Sequence, residues 1–241
     1  MTMQKTKIEW TDNVWNPVHG CLHTCEFCYA RKIAKRFGIN IYNKEKKFKE
    51  SSCHPGFVDM PDASDYTDFK PVFIHSNFTK DLPKEPSRIF VNSMSDIAFW
   101  KPEWKSDVLS KIKRHPQHTF LFLSKDPRAY VGNIYPSNCW LGLSITNEAD
   151  MAKADHVDFK YFPNKLFLSI EPMLEKIDTL LPIAGHIKWV IIGAQTNPYK
   201  APAREWIDKI VLFCRQYQIP VFMKNSLSKV YLNMIQEYPK K

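Results

Sequence analysis

The chemistry of this chain is concentrated in three cysteines near its start. Cys21, Cys25 and Cys28 stand in the string Gly20-Cys21-Leu22-His23-Thr24-Cys25-Glu26-Phe27-Cys28-Tyr29, a C-x-x-x-C-x-x-C spacing just ahead of a helical pattern. Three thiolates can hold three irons of a four-iron, four-sulfur (4Fe-4S) cluster. The fourth iron then lacks a cysteine, whereas a cluster that only carries electrons normally takes four. An iron with an open position can bind a substrate or cofactor. Zinc is the first alternative; it needs a fourth tetrahedral ligand, for which His19, His23 or the Cys53-His54 pair would serve, but no second paired-cysteine half is present. A disulfide framework is the second alternative, because the six cysteines are even in number. Cys53, Cys139 and Cys214 are scattered singly, however, in a chain far larger than a cysteine-stapled domain. Cys139 precedes an apolar strand and Cys214 lies on the apolar stripe of a helix, so both are expected to be core thiols.

Composition narrows the setting. The 241 residues suit one substantial domain, read as residues 1–241 with an irregular insertion at about 39–86. Hydrophobic content of 44% and charged content of 24% belong to a soluble globular protein. No apolar stretch approaches the length of about 18 residues that a membrane span requires, and the N-terminus carries no apolar targeting segment. The expectation is a cytoplasmic protein with no membrane partner. Thirty-four Lys and Arg outnumber 25 Asp and Glu, giving a formal charge of +9. Such a balance favours polyanions, nucleic acid among them. Neither a P-loop nor a G-x-G-x-x-G string occurs, which argues against ATP or NAD bound through those loops.

The elements that must position the cysteines follow from periodicity. Tyr29, Ile33 and Phe37 recur every four residues, predicting a helix that leaves the cysteine loop and ends near Gly38. Residues 39–86 hold five prolines and scattered aromatics (Phe48, Phe57, Tyr66, Phe69), with only Val72-Phe73-Ile74 hinting at a strand. From residue 88, apolar runs begin at Arg88, Thr119, Trp140, Lys165, Lys188 and Pro220, near-continuous as in parallel strands covered on both faces. Helical patterns fill the gaps: one opens at Pro102, one is capped by Asn147, and one carries the stripe Trp206, Ile207, Ile210, Val211, Cys214, Tyr217. Alternation of strands and helices predicts an α/β fold. With a short first strand around Val14–Val18, it has six to seven mostly parallel strands, with the cysteine loop after the first. A partial (β/α) barrel fits that count, and a doubly wound open sheet is the runner-up. In either, ligands gather at the carboxyl ends of the strands. There the chain places Asn92-Ser93-Met94-Ser95-Asp96, Ser124-Lys125, Ser144, Thr146 and Asn147, Ser169 and Glu171, Gln195-Thr196-Asn197, and Lys224-Asn225.

The cysteine spacing, with Phe27 just before the last cysteine, resembles the signature of the radical S-adenosylmethionine (SAM) enzymes. The neighbourhood Lys7-Ile8-Glu9-Trp10-Thr11-Asp12 and Trp15-Asn16-Pro17-Val18 is similar to the phage-associated three-cysteine-motif proteins within that group. The resemblance implies a partial barrel in which the open iron chelates SAM, and one electron from a donor protein yields a 5′-deoxyadenosyl radical. It places Phe27 near the adenine and Ser93, Ser95 or Asp96 at the amino group. Lys125 would pair with the carboxylate, and Ser144, Ser169 or Glu171 would meet the ribose hydroxyls. Gln195 stands where the family commonly has a glutamate, the glycine-rich string after the second strand is absent, and no tryptophan–glycine pair follows Lys224. Glu171 and Lys224 are the residues expected to face the reacting centre, with a salt bridge between them as the structural alternative. The implied substrate is unassigned, with a nucleic-acid base or nucleotide favoured by charge. A non-catalytic, metal-stapled nucleic-acid-binding module, or an enzyme acting on a partner protein, stands against that.

Overall fold

A computed structural model describes residues 6–51, 60–155, 159 and 164–240. The chain divides into two compact units, residues 1–120 and 121–241.

The first unit opens with β1 (Asn13–Val14) and β2 (Val18–His19), followed by α1 (Tyr29–Ser51), α2 (Ala63–Thr67), β3 (Val72–Phe73) and α3 (His75–Phe78). Then come β4 (Arg88–Phe90), α4 (Pro102–Lys113) and β5 (Thr119–Ser124), the strand in which the first unit gives way to the second. β1 pairs with β4 in parallel, Asn13 opposite Ile89 and Val14 opposite Phe90. β2 pairs with β3 antiparallel, Val18 opposite Phe73. The single strand expected at 14–18 is therefore two, because Pro17 ends one extended piece and the chain turns to a different partner. Trp15 is fully buried between them, its indole N–H donating to the Asn77 carbonyl. Pro102 opens α4, where a missing N–H costs nothing, and Val108 and Ile112 bury one stripe.

The second unit runs through β6 (Cys139–Ser144), α5 (Glu148–Asp155), β7 (Lys165–Ile170) and β8 (Ile187–Ile192). The β9 (Gln195–Thr196) and β10 (Tyr199–Lys200) hairpin follows, then α6 (Arg204–Gln216) and β11 (Val221–Met223). β6, β7, β8 and β11 pair in parallel in that order. Asn147 caps α5 as its sequence position predicts, the side-chain oxygen accepting from the Asp150 amide at 2.9 Å. On α6 the buried residues are Ile207, Ile210 and Cys214. Cys139 and Cys214 are both fully buried, with burial pushing each thiol up to about 12, as expected of core cysteines.

The seven strands lie in the order β1-β4-β5-β6-β7-β8-β11. Position in the sheet follows position in the chain without reversal, so the switch point that defines a doubly wound sheet is absent. The fold is a partial (β/α) barrel, and the doubly wound alternative is set aside. Among the described residues, no helix is long and apolar enough to cross a membrane.

Residues 39–86 depart from the expected irregular insertion. α1 passes through Gly38 and continues to Ser51. Gly38 is not a stop; a Cβ there would lie 2.7 Å from the Tyr66 carbonyl oxygen, so glycine permits a close crossing of α1 by the α2 segment. The inward face of α1 is Ala30, Ala34 and Gly38, whereas Tyr29, Ile33 and Phe37 are 53%, 38% and 42% exposed. Further along, the buried Glu45 accepts from the His75 and Ser76 amides at 2.8 and 3.0 Å, tying α1 to the start of α3. Tyr66 and Phe69 are buried with it. Cys53, His54 and Phe57 lie outside the described residues.

Candidate functional site

The cysteine loop spans the gap between β2 and α1, and its first constraint is Gly20. This residue has φ of +100°, and a Cβ on it would lie 2.0 Å from the Lys70 carbonyl oxygen. Its amide donates to the Met94 carbonyl at 2.9 Å, and it forms a parallel bridge with Ser95. The next amide, Cys21, donates to the Phe69 carbonyl at 2.9 Å. Cys21 thus enters held on both sides by backbone. The loop then turns back on itself, the Cys28 amide donating to the Cys25 carbonyl at 3.2 Å.

Side chains fix the rest. One Arg31 nitrogen donates to the carbonyls of Cys21 (3.1 Å) and His23 (2.7 Å), and the guanidinium lies over the Phe69 ring. His23 Nε2 meets Asp96 Oδ2 at 3.0 Å, while Asp96 Oδ1 accepts the Ala98 amide and caps a 3-10 turn at Ile97–Phe99. Asn16 exchanges hydrogen bonds with Ser93 Oγ and accepts the Met94 amide at 3.1 Å. Ser95 Oγ accepts from the Trp100 indole at 3.0 Å, and the Tyr29 hydroxyl donates to the Ser93 carbonyl at 2.7 Å. Ser93, Ser95 and Asp96 therefore do stand beside the cysteine loop, where they brace it.

All three cysteines of the loop are half-buried, unlike the core thiols. Cys21 and Cys28 pack against one apolar patch of Ala30, Ala34, Phe69 and Met94. The sulfurs of Cys21 and Cys28 each accept a backbone amide at 3.4 Å, from His23 and Arg31 respectively. Burial pushes the Cys21 thiol up to about 12. The charges of Asp96, Cys28 and Cys25 push in the same direction, against the hydrogen bond from the His23 amide. Burial thus favours the Cys21 thiol, and binding a metal would displace its proton. Among the described residues, no group of three or more His, Cys, Asp or Glu is placed to hold a metal ion. A cube takes each thiolate on a different iron, so its ligands need not converge on one point. The donor set is three half-buried sulfurs on one loop, two of them accepting amides, which is the number that a cube with one open iron takes. His23 Nε2 meets Asp96, and burial with the nearby Lys80 and Lys44 drives His19 down to about 4, leaving it the neutral imidazole that a metal would take. Phe27 is half-buried on the loop itself.

The second unit carries its own polar cluster at the carboxyl ends of its strands. Ser144 and Ser169 are buried register partners on β6 and β7, hence on the same face. Lys125 Nζ meets Ser144 Oγ at 3.3 Å. Thr146 donates to Asp150 Oδ2 from its amide (3.0 Å) and hydroxyl (2.7 Å), and Lys153 reaches Asp150 Oδ1 at 3.1 Å. Burial alone would raise the Asp150 carboxyl, but these bonds with Lys153 and Lys125 leave it below the usual range. Glu171 and Lys224 form an ion pair, both largely shielded from solvent, which is the structural alternative foreseen for them. Gln195 does not stay with this group. It begins the β9–β10 hairpin and donates to the Pro198 carbonyl at 2.9 Å. Sequence reasoning passed over Arg31, Asn16 and Asp150. The only signal for Asp150 was its place three residues after a capping Asn147, and nothing local marked the other two.

No curated protein and no solved structure matches the chain. A family of proteins of unknown function, DUF5131, matches residues 5–237, and the chain belongs to that family.

Proposed function

We propose that Cys21, Cys25 and Cys28 hold a 4Fe-4S cluster and that the protein is a radical SAM enzyme. The observation that carries this reading is the loop itself. Three half-exposed cysteines at C-x-x-x-C-x-x-C spacing sit on an arc braced from several directions, while the remaining described cysteines are core thiols. When bound, the cluster would supply the electron and the open iron that reductive cleavage of SAM requires.

The chain's own residues do the positioning. Arg31 fixes two loop carbonyls and brings a fixed positive charge to a site that thiolates make negative. The His23 and Arg31 amides donate to sulfur, which stabilises thiolate over thiol. Asp96 fixes the His23 ring through its Nε2. For Phe27, Lys125, Ser144, Ser169, Gln195, Glu171 and Lys224, the roles implied by the resemblance stand as separate proposals, each open to single substitution against SAM affinity. A one-electron donor protein and a reducing cytoplasm belong to the same reading, since the chemistry needs a low-potential electron.

Anaerobic reconstitution tests it. About four irons per chain are expected, with a paramagnetic resonance spectrum of the reduced protein that changes on adding SAM, and release of 5′-deoxyadenosine. A colourless protein with one zinc would favour the metal-stapled binding module instead. Fully iron-loaded protein that neither binds nor cleaves SAM would end the enzyme reading.

A further inference from the structure

Helix α1 is long, basic and turned outward. Its 23 residues include eight Lys or Arg (Arg31, Lys32, Lys35, Arg36, Lys44, Lys46, Lys47 and Lys49) and two acids, a balance of +6 against +9 for the whole chain. One of the acids, Glu45, is buried against α3, so the surface of the helix is more basic still. Arg31 is used by the cysteine loop. At 100° per residue, Lys32, Lys35, Arg36, Lys46 and Lys47 fall within about 120° of one another on the face opposite Ala30, Ala34 and Gly38. All five are exposed and, among the described residues, none is in a salt bridge. The face is about 22 Å long from Lys32 to Lys47. Tyr29 and Ile33 lie at its edge and Phe37 beyond them, toward Ala30, with 53%, 38% and 42% of their surface exposed. The Phe37 ring already carries the Arg36 guanidinium 5.0 Å from its centre.

We infer that the outer face of α1 binds single-stranded nucleic acid. A row of unpaired bases explains the concentration of charge, since each can release a counterion from a phosphate backbone. The exposed rings explain the preference for an unpaired strand, because a base in a duplex offers no free face to stack on. A lipid surface fits less well. A helix lying in a membrane inserts a continuous apolar face; on α1 the stripe Ala30, Ala34 and Gly38 is packed on the protein, and the exposed Tyr29, Ile33, Phe37 and Ile39 are interrupted by bases. An acidic protein would match the charge but gives no reason for two exposed rings beside the bases. The inference does not rest on the cluster, so loss of iron would leave it intact.

The test is fluorescence anisotropy of the full-length chain with a labelled oligothymidylate of about 20 nucleotides, read at several salt concentrations. Five phosphate contacts at about 0.7 each give a slope of log K against log salt near −3.5. Replacing Lys32, Lys35 and Arg36 together by Gln should reduce that slope by about 2 and weaken binding about 100-fold at 0.1 M salt. Replacing Lys113, Lys165 and Lys188, exposed bases of other elements, removes the same charge and should leave the slope within about one of the parent. Phe37→Ala should weaken binding about tenfold with the slope unchanged, the mark of lost stacking. All these residues are exposed, and an unchanged circular dichroism spectrum and melting temperature confirm intact variants. Four results would overturn the inference. They are no binding at low salt, an unaltered slope in the triple α1 variant, duplex bound as tightly as the single strand, and binding confined to vesicles containing phosphatidylserine.

Discussion

Gly20→Ala, set against Gly132→Ala, isolates what the entry to the cysteine loop requires. Both glycines have positive φ, +100° and +75°. An alanine at either position carries the backbone strain of that conformation, about 1–2 kcal/mol. They differ in space. At Gly132 an added Cβ meets nothing within 4 Å, whereas at Gly20 it would lie 2.0 Å from the Lys70 oxygen, 2.3 Å from its carbon and 2.6 Å from the Pro71 nitrogen. Those are backbone atoms leading into β3, so no side chain can swing aside. Gly20 cannot retreat easily either, because its amide is bound to Met94 and it bridges Ser95. Overpacking adds about 1–3 kcal/mol, for a total of about 2–5 kcal/mol. At 2–4 °C per kcal/mol for a chain of this size, the expected fall in melting temperature is about 4–20 °C for Gly20→Ala. For Gly132→Ala it is about 2–8 °C. Scanning calorimetry of the two variants in parallel reads the difference, and iron retained after anaerobic reconstitution reads its consequence for the loop. Equal falls in the two proteins would refute the crowding argument, leaving only the dihedral. A Gly20→Ala protein that melts early yet loads iron normally would show that the loop does not need this entry angle.

Other substitutions probe the loop and the strand ends. Alanine at Cys21, Cys25 or Cys28 should remove most iron from reconstituted protein, while Cys139→Ala and Cys214→Ala should retain iron and lose about 1–2 kcal/mol in urea unfolding. Iron lost with Cys139 would show the ligand assignment to be wrong. Arg31→Gln breaks the clamp on the Cys21 and His23 carbonyls, and iron should leave to a chelator at least several-fold faster than from the parent protein; an unchanged rate would mean the clamp is ornamental. Asp150 has a depressed carboxyl in the folded state, so its stabilisation is present above the ordinary carboxylate range and is lost as pH falls through its lowered value. Asp150→Asn should flatten that acid limb in pH-dependent unfolding, and an unaltered limb would place the dependence elsewhere.

The strands were legible because burial on both faces writes the same signal into each. The runs starting at Arg88, Thr119 and Lys165 match β4, β5 and β7 at their first residues. Asn147 was legible for the same kind of reason, a cap bonding three residues ahead. What escaped was anything joined across distance in sequence. Asn16 meets Ser93 across 77 residues, and Arg31 binds main-chain carbonyls, which no side-chain pattern announces. Polarity at strand ends marked Ser93, Ser95 and Asp96, but polarity does not announce their partners, Asn16 for Ser93, the Trp100 indole for Ser95 and His23 for Asp96.

The misreading of α1 has a physical cause that bears on function. A four-residue apolar period normally marks the face a helix buries, and Tyr29, Ile33 and Phe37 carry that period. The actual contact is made by Ala30, Ala34 and Gly38, small residues that write almost no hydrophobic signal yet allow close backbone approach. A surface helix of this kind gains little from burying its larger side chains inward, so apolar residues left outside need another account. Interleaving with Lys32, Lys35 and Arg36 keeps the stripe solvated and repels a second copy carrying the same charge. The same interleaving gives a phosphate backbone its cations and gives unpaired bases a surface to stack on. The sequence predicted the helix but not which face it buries; that exposed apolar residues adjoin a basic face is what the fold adds.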